Sequence, residues 1–255
     1  MGERVAVVTG SEGRIGRLVC DGLRARGYAV VGLDRPQAFP DGADRGADRI
    51  PVDVSDEDQV RAAFAQVARE HGRVDLLVLS AGLSAIGAFA DHGLAVHRQV
   101  MDATHFGAVA CLQAAYPLLR ASGGRVVLIG SVTGFAPVLG RPAYVAAKHA
   151  VTGLLEALRP ELAADGIAVT VVHPTFVAGG MSEAAARTDG AQRAVTGEEI
   201  SSADVADAVF RGIERGAERV LVGRTARLAW VASRHTPRLY RRLMVRRMAS
   251  QKESS

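Results

Sequence analysis

Cysteine is scarce in this chain, with Cys20 and Cys111 the only two in 255 residues. Neither stands at ligand spacing from a histidine, which argues against a metal site, and two thiols in segments of helical apolar spacing read as buried and free. No run of about 18 apolar residues occurs, so the sequence offers no membrane-spanning helix. The opening MGERVAVVTG enters a strand at once where a cleavable leader would show a basic stretch and an apolar stretch. The expected location is therefore the cytoplasm. Aromatics make up 5% of the chain, and no stacking platform or reading motif accompanies its basic segments. Nucleic acid is not expected as a partner.

Acid is missing from one end only. Residues 219–255 carry ten Lys or Arg against the single acid Glu253, whereas the rest holds 21 bases and 26 acids. The net charge of +4 thus belongs to the tail. Lysine is nearly absent as well: only Lys148 and Lys252 occur, against 29 arginines. A chain that otherwise uses arginine has placed lysine at 148, where a compact ammonium and a planar guanidinium are not equivalent.

What is present is an ordinary soluble composition, 48% hydrophobic and 23% charged, in a length that suits one large α/β domain. Apolar runs bounded by turn residues alternate with longer segments of helical periodicity. Strands are predicted near 4–9, 28–33, 49–52, 74–79, 125–130, 167–173 and 219–222. Helices are predicted near 14–26, 56–71, 95–120, 142–165 and 201–215. This alternation predicts a doubly wound parallel sheet of about seven strands with helices on both faces. The predicted domain covers residues 1–223, and 224–255 form a basic amphipathic helical extension. The stretch 179–197 is small, polar and poorly periodic, and reads as a loop or short helix over a site.

Strand 4–9 runs into TGSEGRIG, which sets Gly10, Gly13 and Gly16 at the turn into a helix. Glycine there lets backbone approach a pyrophosphate, held by the unpaired amides of the helix N-terminus. Asp34 ends the second strand, where a carboxylate accepts from both hydroxyls of an adenosine ribose and repels a 2′-phosphate. NAD is the favoured cofactor, and Arg14 and Arg35 keep NADP open. The competing reading makes Asp34 the start of a solvated loop.

Tyr144 and Lys148, in PAYVAAKHAV, are four residues apart and share a helix face. A free phenol is a poor base at neutral pH, and a neighbouring ammonium favours its phenolate. Ser131 closes strand 125–130 at the carboxyl edge, where doubly wound sheets bind ligands, and its hydroxyl can donate to a carbonyl oxygen on which charge develops. The three side chains together suit proton exchange with an alcohol or ketone during hydride transfer. His105, His149 and His173 lack a carboxylate partner at useful spacing and read as ordinary histidines. Leu83, Phe135, Val138, Leu139, Phe176 and Met181 follow strands at the same edge, either lining an apolar substrate pocket or sealing loops.

TGSEGRIG, Asp34, DVSD, Ser80 to Gly82, Ser131 and YVAAK together resemble the short-chain dehydrogenase/reductase family, over nearly the whole chain to about Gly223. The resemblance implies a seven-stranded Rossmann sheet and a nicotinamide cofactor held by Gly10, Gly13, Arg14, Ile15 and Gly16, with Asp34 and Arg35 at the ribose. It implies Asp53 and Val54 near the adenine, and Ser80, Ala81, Gly82, Pro174 and Val177 along the dinucleotide. Tyr144 would be the catalytic acid/base, Lys148 would hold the nicotinamide ribose, Ser131 would orient substrate, and Thr104 would stand where a helix asparagine supports a proton relay. A homodimer or homotetramer is implied. Departures from the family pattern fall at Arg14, Ser80, Thr104, Thr175 and Gly179.

Two further readings remain: a dinucleotide-binding sensor without turnover, and an epimerase or dehydratase suggested by the glycine spacing. In the tail, RLYRRLMVRRMA alternates apolar and arginine positions. Such a helix packs on the body or a partner subunit, or lies on an anionic membrane as a peripheral contact.

Overall fold

The structure is a computed structural model that describes residues 3–39, 48–178, 186–187 and 199–253. Met181 and most of the 179–197 segment lie outside the described residues. Seven strands, β1 (Arg4–Thr9), β2 (Tyr28–Asp34), β3 (Arg49–Pro51), β4 (Leu76–Leu79), β5 (Arg125–Ile129), β6 (Ala168–Pro174) and β7 (Arg219–Val222), form one sheet in the order β7-β6-β5-β4-β1-β2-β3. All of its pairings are parallel.

These strands are near-continuous apolar runs because both faces are covered. In β1, Val5, Ala6, Val7 and Val8 are all at most 2% exposed. Alternation then divides the core. Val7 sits opposite Val31 and Leu77, Leu77 opposite Val126, and Val126 opposite Val169, which makes one row across five strands on one face. Helices α2 (Glu57–His71), α4 (Gly107–Ser122) and α5 (Pro142–Ala164) cover that face, contributing Phe64, Leu112 and Leu155. Ala6, Val8, Leu76 and Val78 point the other way, under α1 (Arg14–Arg24) and α6 (Ser202–Glu214), which contribute Leu23 and Phe210.

Local chemistry sets the helix ends. Asp56 caps α2 by accepting from the amides of Asp58 and Gln59, and Gly72 ends that helix in the left-handed region. Ser201 and Asp204 form a reciprocal capping box on α6. Helix α1 differs: its N-cap is Gly13, with no side chain to satisfy the first-turn amides.

One expectation is corrected. The single helix predicted over 95–120 is interrupted, running as α3 (Leu94–Met101), a π-helical turn at Asp102–Phe106, and α4. The turn brings Thr104 inward against Leu83, and Gly107 packs so closely on Val54 that a Cβ there would lie 2.7 Å from its side chain. The tail follows the packed alternative and forms two helices, α7 (Arg224–His235) and α8 (Pro237–Glu253), laid on the body. Ala226, Ala229 and Tyr240 are buried against Val132 and Ala136, and the Tyr240 hydroxyl donates to the Pro137 carbonyl at 3.2 Å.

Candidate active site

Strand order reverses between β1 and β4, so the connections from these two strands leave in opposite directions and open a crevice at their carboxyl ends. A cavity of about 1280 Å³ occupies this edge. That exceeds the ~300–1,000 Å³ of an ordinary single-ligand pocket and leaves room for a cofactor beside a substrate.

One end of the cavity is made of backbone. Gly10 has φ +66°, and a Cβ on it would stand 2.9 Å from the Ala81 amide nitrogen, so the ends of β1 and β4 meet only because the side chain is missing. A Cβ on Gly16 would stand 2.1 Å from the Gly10 carbonyl oxygen. Thr9 locks the junction, its hydroxyl accepting from the Ser80 and Ala81 amides at 3.1 Å each. The Asp34 carboxylate takes the Glu12 amide on one oxygen and the Arg35 amide on the other, both at 2.8 Å, which ties the glycine turn to the end of β2. Asp53 accepts from the Ser55 amide at 2.9 Å and from its hydroxyl at 2.6 Å, fixing the turn after β3. An uncapped helix N-terminus, a cradle that a Cβ would fill and a carboxylate at the next strand end fit a dinucleotide: amides for pyrophosphate, Asp34 for ribose hydroxyls.

The middle of the cavity holds the reacting groups. Tyr144 and Lys148 face the same way from α5, with the Lys148 Nζ 5.8 Å from the Tyr144 ring centroid. The ammonium is 3% exposed and donates to the Ile129 carbonyl at 2.9 Å, two residues before Ser131 on the same strand end. Burial pulls the Lys148 pKa below its usual range, the neighbouring phenol pushes it back up, and Arg141 adds to the lowering. Ser131 Oγ accepts from the Thr133 amide at 3.1 Å, which leaves the hydroxyl proton to donate into the cavity. Gly134 holds this short 3-10 turn against α5: a Cβ there would lie 2.4 Å from Thr152 Oγ and 3.0 Å from the Lys148 carbonyl oxygen.

Every cofactor and catalytic residue expected from the sequence lines this cavity except Thr104. The Thr104 hydroxyl is buried and bound in both directions to Leu83, accepting from its amide at 3.1 Å and donating to its carbonyl at 3.4 Å. It braces the loop after β4. Of the expected pocket residues, Leu83, Val138 and Phe176 line the cavity, whereas Leu139 is 43% exposed and off it. Phe135 takes the sealing alternative: it stands edge-on between His173 and Trp230, with centroids 5.0 and 4.8 Å away. Cys20 and Cys111 are buried, which pushes each thiol up to about 12.

Sequence reasoning missed two contributors, Arg141 and the helix pair, and read a third, His173, as the ordinary neutral histidine that it is. Arg141 is 9% exposed, lies 4.4 Å over the Tyr144 ring and donates to the Ser84 hydroxyl. His173 is fully buried behind Ser131, its Nδ1 2.9 Å from the Ser131 carbonyl oxygen, and burial pulls its pKa down to about 4. Helices α7 and α8 wall the cavity with Leu228, Ala229, Ala232, Tyr240, Leu243 and Met244. Only the apolar spacing of the tail hinted at the last of these.

The model of the short chain dehydrogenase family matches residues 4–190, which include the glycine turn and the Ser131, Tyr144 and Lys148 constellation. The chain belongs to the short-chain dehydrogenase/reductase family. Among its relatives is the dehydrogenase/reductase SDR family member 7B of Xenopus tropicalis, 33% identical over 210 residues that cover 80% of this chain and 68% of that protein. A short-chain dehydrogenase of Streptomyces avermitilis superposes with a TM-score of 0.80 at 27% identity, covering 99% of this chain and 98% of that one. A short-chain dehydrogenase/reductase of Burkholderia phymatum, solved in complex with NAD, gives 0.77 at 26% identity over 92% of this chain and 95% of that one. As in other members of this family, a Rossmann-type sheet presents its carboxyl edge to a nicotinamide dinucleotide.

Proposed function

We propose that the chain interconverts a hydrophobic secondary alcohol and its ketone, with NAD as the preferred dinucleotide. One observation carries the reading: Ser131, Tyr144 and Lys148 converge on one cavity whose neighbouring walls are a glycine cradle and an apolar helix pair. A nicotinamide dinucleotide, when bound, supplies or accepts the hydride. Gly10, Gly13, Ile15 and Gly16 would hold its pyrophosphate, Asp34 its adenosine ribose, and Ala81, Gly82, Pro174 and Val177 the remainder.

The protein's own residues handle the oxygen. In the reducing direction the Tyr144 hydroxyl gives its proton to the forming alkoxide, and in the oxidising direction the phenolate takes it back. The Lys148 charge, close to the ring face and held by Ile129, favours that phenolate. Because Ile129 uses one of its three donors, two remain for ribose hydroxyls. Ser131 donates to the substrate oxygen, its direction fixed by the Thr133 amide. The preference for NAD follows from Asp34, since a second negative group beside that carboxylate would be repelled. Ala229, Ala232, Leu243 and Met244 supply no hydrogen-bonding side chains, which suits a ring-bearing or aliphatic substrate.

Tyr144→Phe is the decisive variant. With a panel of hydrophobic ketones and the absorbance of reduced nicotinamide as readout, turnover should fall roughly 10²–10⁴-fold. Dinucleotide affinity, measured by calorimetry, should stay within about twofold, because the cradle is untouched. Turnover equal to the parent's would refute the assignment, and a chain that binds dinucleotide yet turns over none of the panel would be a sensor.

A further inference from the structure

We infer that α7 and α8 form a docking face for an anionic phospholipid surface, at the mouth of the cavity. Packing on the body consumes only one side of these helices, through Ala226, Ala229, Tyr240 and Met244. The remainder is apolar and open: Leu228 is 70% exposed, Val231 56%, Leu239 53%, Leu243 42% and Val245 58%. Leu228, Val231 and Leu243 also line the cavity, so the rim and the outer apolar surface are the same side chains. Beside them, Arg238, Arg241, Arg242 and Arg246 line a shallow groove on α8 together with Val245. No Asp or Glu occurs between residues 224 and 252.

The chemistry of that face selects its occupant. Exposed aliphatic side chains interleaved with arginines match the boundary between acyl chains and anionic headgroups, where the former bury and the latter meet phosphate. A second copy placed across a two-fold axis would set two arginine grooves together with no acid between residues 224 and 252 of either copy to offset them. A nucleic acid would satisfy the arginines but leave the aliphatic side chains in water. Trp230, the one aromatic large enough for base stacking on α7, is already covered by Arg219 at 4.1 Å and Arg234 at 3.4 Å. Among the described residues no helix is long and apolar enough to cross a membrane, so the helices lie on the surface.

The test is sedimentation of the full chain with vesicles made of equal parts phosphatidylcholine and phosphatidylserine, and with pure phosphatidylcholine. The protein should pellet with the anionic vesicles alone and be released by salt. Arg241→Gln with Arg242→Gln should lower partitioning about 30-fold, roughly fivefold for each arginine near the surface. Leu239→Ser with Val245→Ser should lower it as well, and circular dichroism should show both double variants folded. Protein that stays in the supernatant, or arginine variants that pellet like the parent, would overturn the proposal. So would light scattering that shows a dimer broken by Leu239→Ser with Val245→Ser. None of these readouts involves turnover, so the outcome is independent of the Tyr144 experiment.

Discussion

The two ends of the cavity are built by different means. The dinucleotide end is close-packed backbone tied by two side chains: Gly10, Gly13 and Gly16 remove side chains, while the Thr9 hydroxyl and the Asp34 carboxylate receive four amide hydrogens between them. The substrate end is side chain against side chain, with α7 and α8 laid on Val132 and Ala136 by apolar packing. Backbone recognition tolerates almost no change because its atoms cannot move aside. Apolar packing tolerates much, provided volume and hydrophobicity are kept. Substrate range should therefore be open to variation in a chain whose cofactor site is not.

The largest effect that would break this contrast is at Gly16. An alanine Cβ would meet the Gly10 carbonyl at 2.1 Å, with the Gly10 carbon and the Ser11 Cα at 2.9 Å, all of them backbone. Gly16→Ala should cost about 3 kcal/mol in urea unfolding, the upper range for overpacking, and should abolish measurable dinucleotide binding. A variant of unchanged stability that still binds dinucleotide would show that the cradle yields as readily as the helix wall.

Legibility in the sequence follows the same division. Seven strands and their helices showed through because a buried parallel sheet demands uninterrupted apolar runs, and the glycine turn showed through because close approach demands a specific residue at a specific place. The helix predicted over 95–120 was too continuous, since nothing in MDATHFG signals that the Thr104 hydroxyl prefers Leu83 to its own helix. Arg141 was missed, and Phe135 was left between lining and sealing, for a related reason. Whether a side chain beside a strand end enters the cavity or seals the back of it depends on partners distant in sequence, here Ser84 for one and Trp230 for the other.

His173 sharpens the comparison from beneath the catalytic turn. It is fully buried, neutral, and joined to the Ser131 carbonyl, with burial pulling its pKa from the usual 6.5 down to about 4. The unfolded chain binds the proton first as pH falls, so its contribution is complete above pH ~6.5 and is lost progressively down to pH ~4. At pH 5 the loss should be about 2 kcal/mol, by the ~1.4 kcal/mol of each pKa unit. His173→Asn keeps a donor for Ser131 and removes the titration. Urea midpoints compared at pH 7 and pH 5 should shift strongly for the parent and weakly for the variant. Equal shifts would mean that the acid sensitivity resides elsewhere.

Asp34 gives a smaller effect, confined to the cofactor. Asp34→Ala removes the carboxylate proposed for the ribose, which receives the Glu12 and Arg35 amides. The ratio of NAD to NADP affinity should fall about tenfold, the order of a lost charge-assisted hydrogen bond plus a relieved repulsion. An unchanged ratio in calorimetry would remove Asp34 from cofactor choice.

The smallest effect tests the helix wall. Tyr240 is 6% exposed, and its hydroxyl fastens α8 to the Pro137 carbonyl, one residue before Val138 at the cavity. Tyr240→Phe keeps the ring in its packed place and leaves that carbonyl without its donor, a loss of about 1 kcal/mol. Stability should drop by that amount and dinucleotide affinity should not change, because the bond lost lies at Pro137 and not in the glycine cradle. The KM for a hydrophobic ketone should rise severalfold while kcat holds, since a looser wall weakens binding before and during the reaction alike. If kcat falls instead with KM constant, α8 acts on the geometry of Ser131 and Tyr144, and the two ends of the cavity are coupled through the turn that Val132 shares with the helix pair.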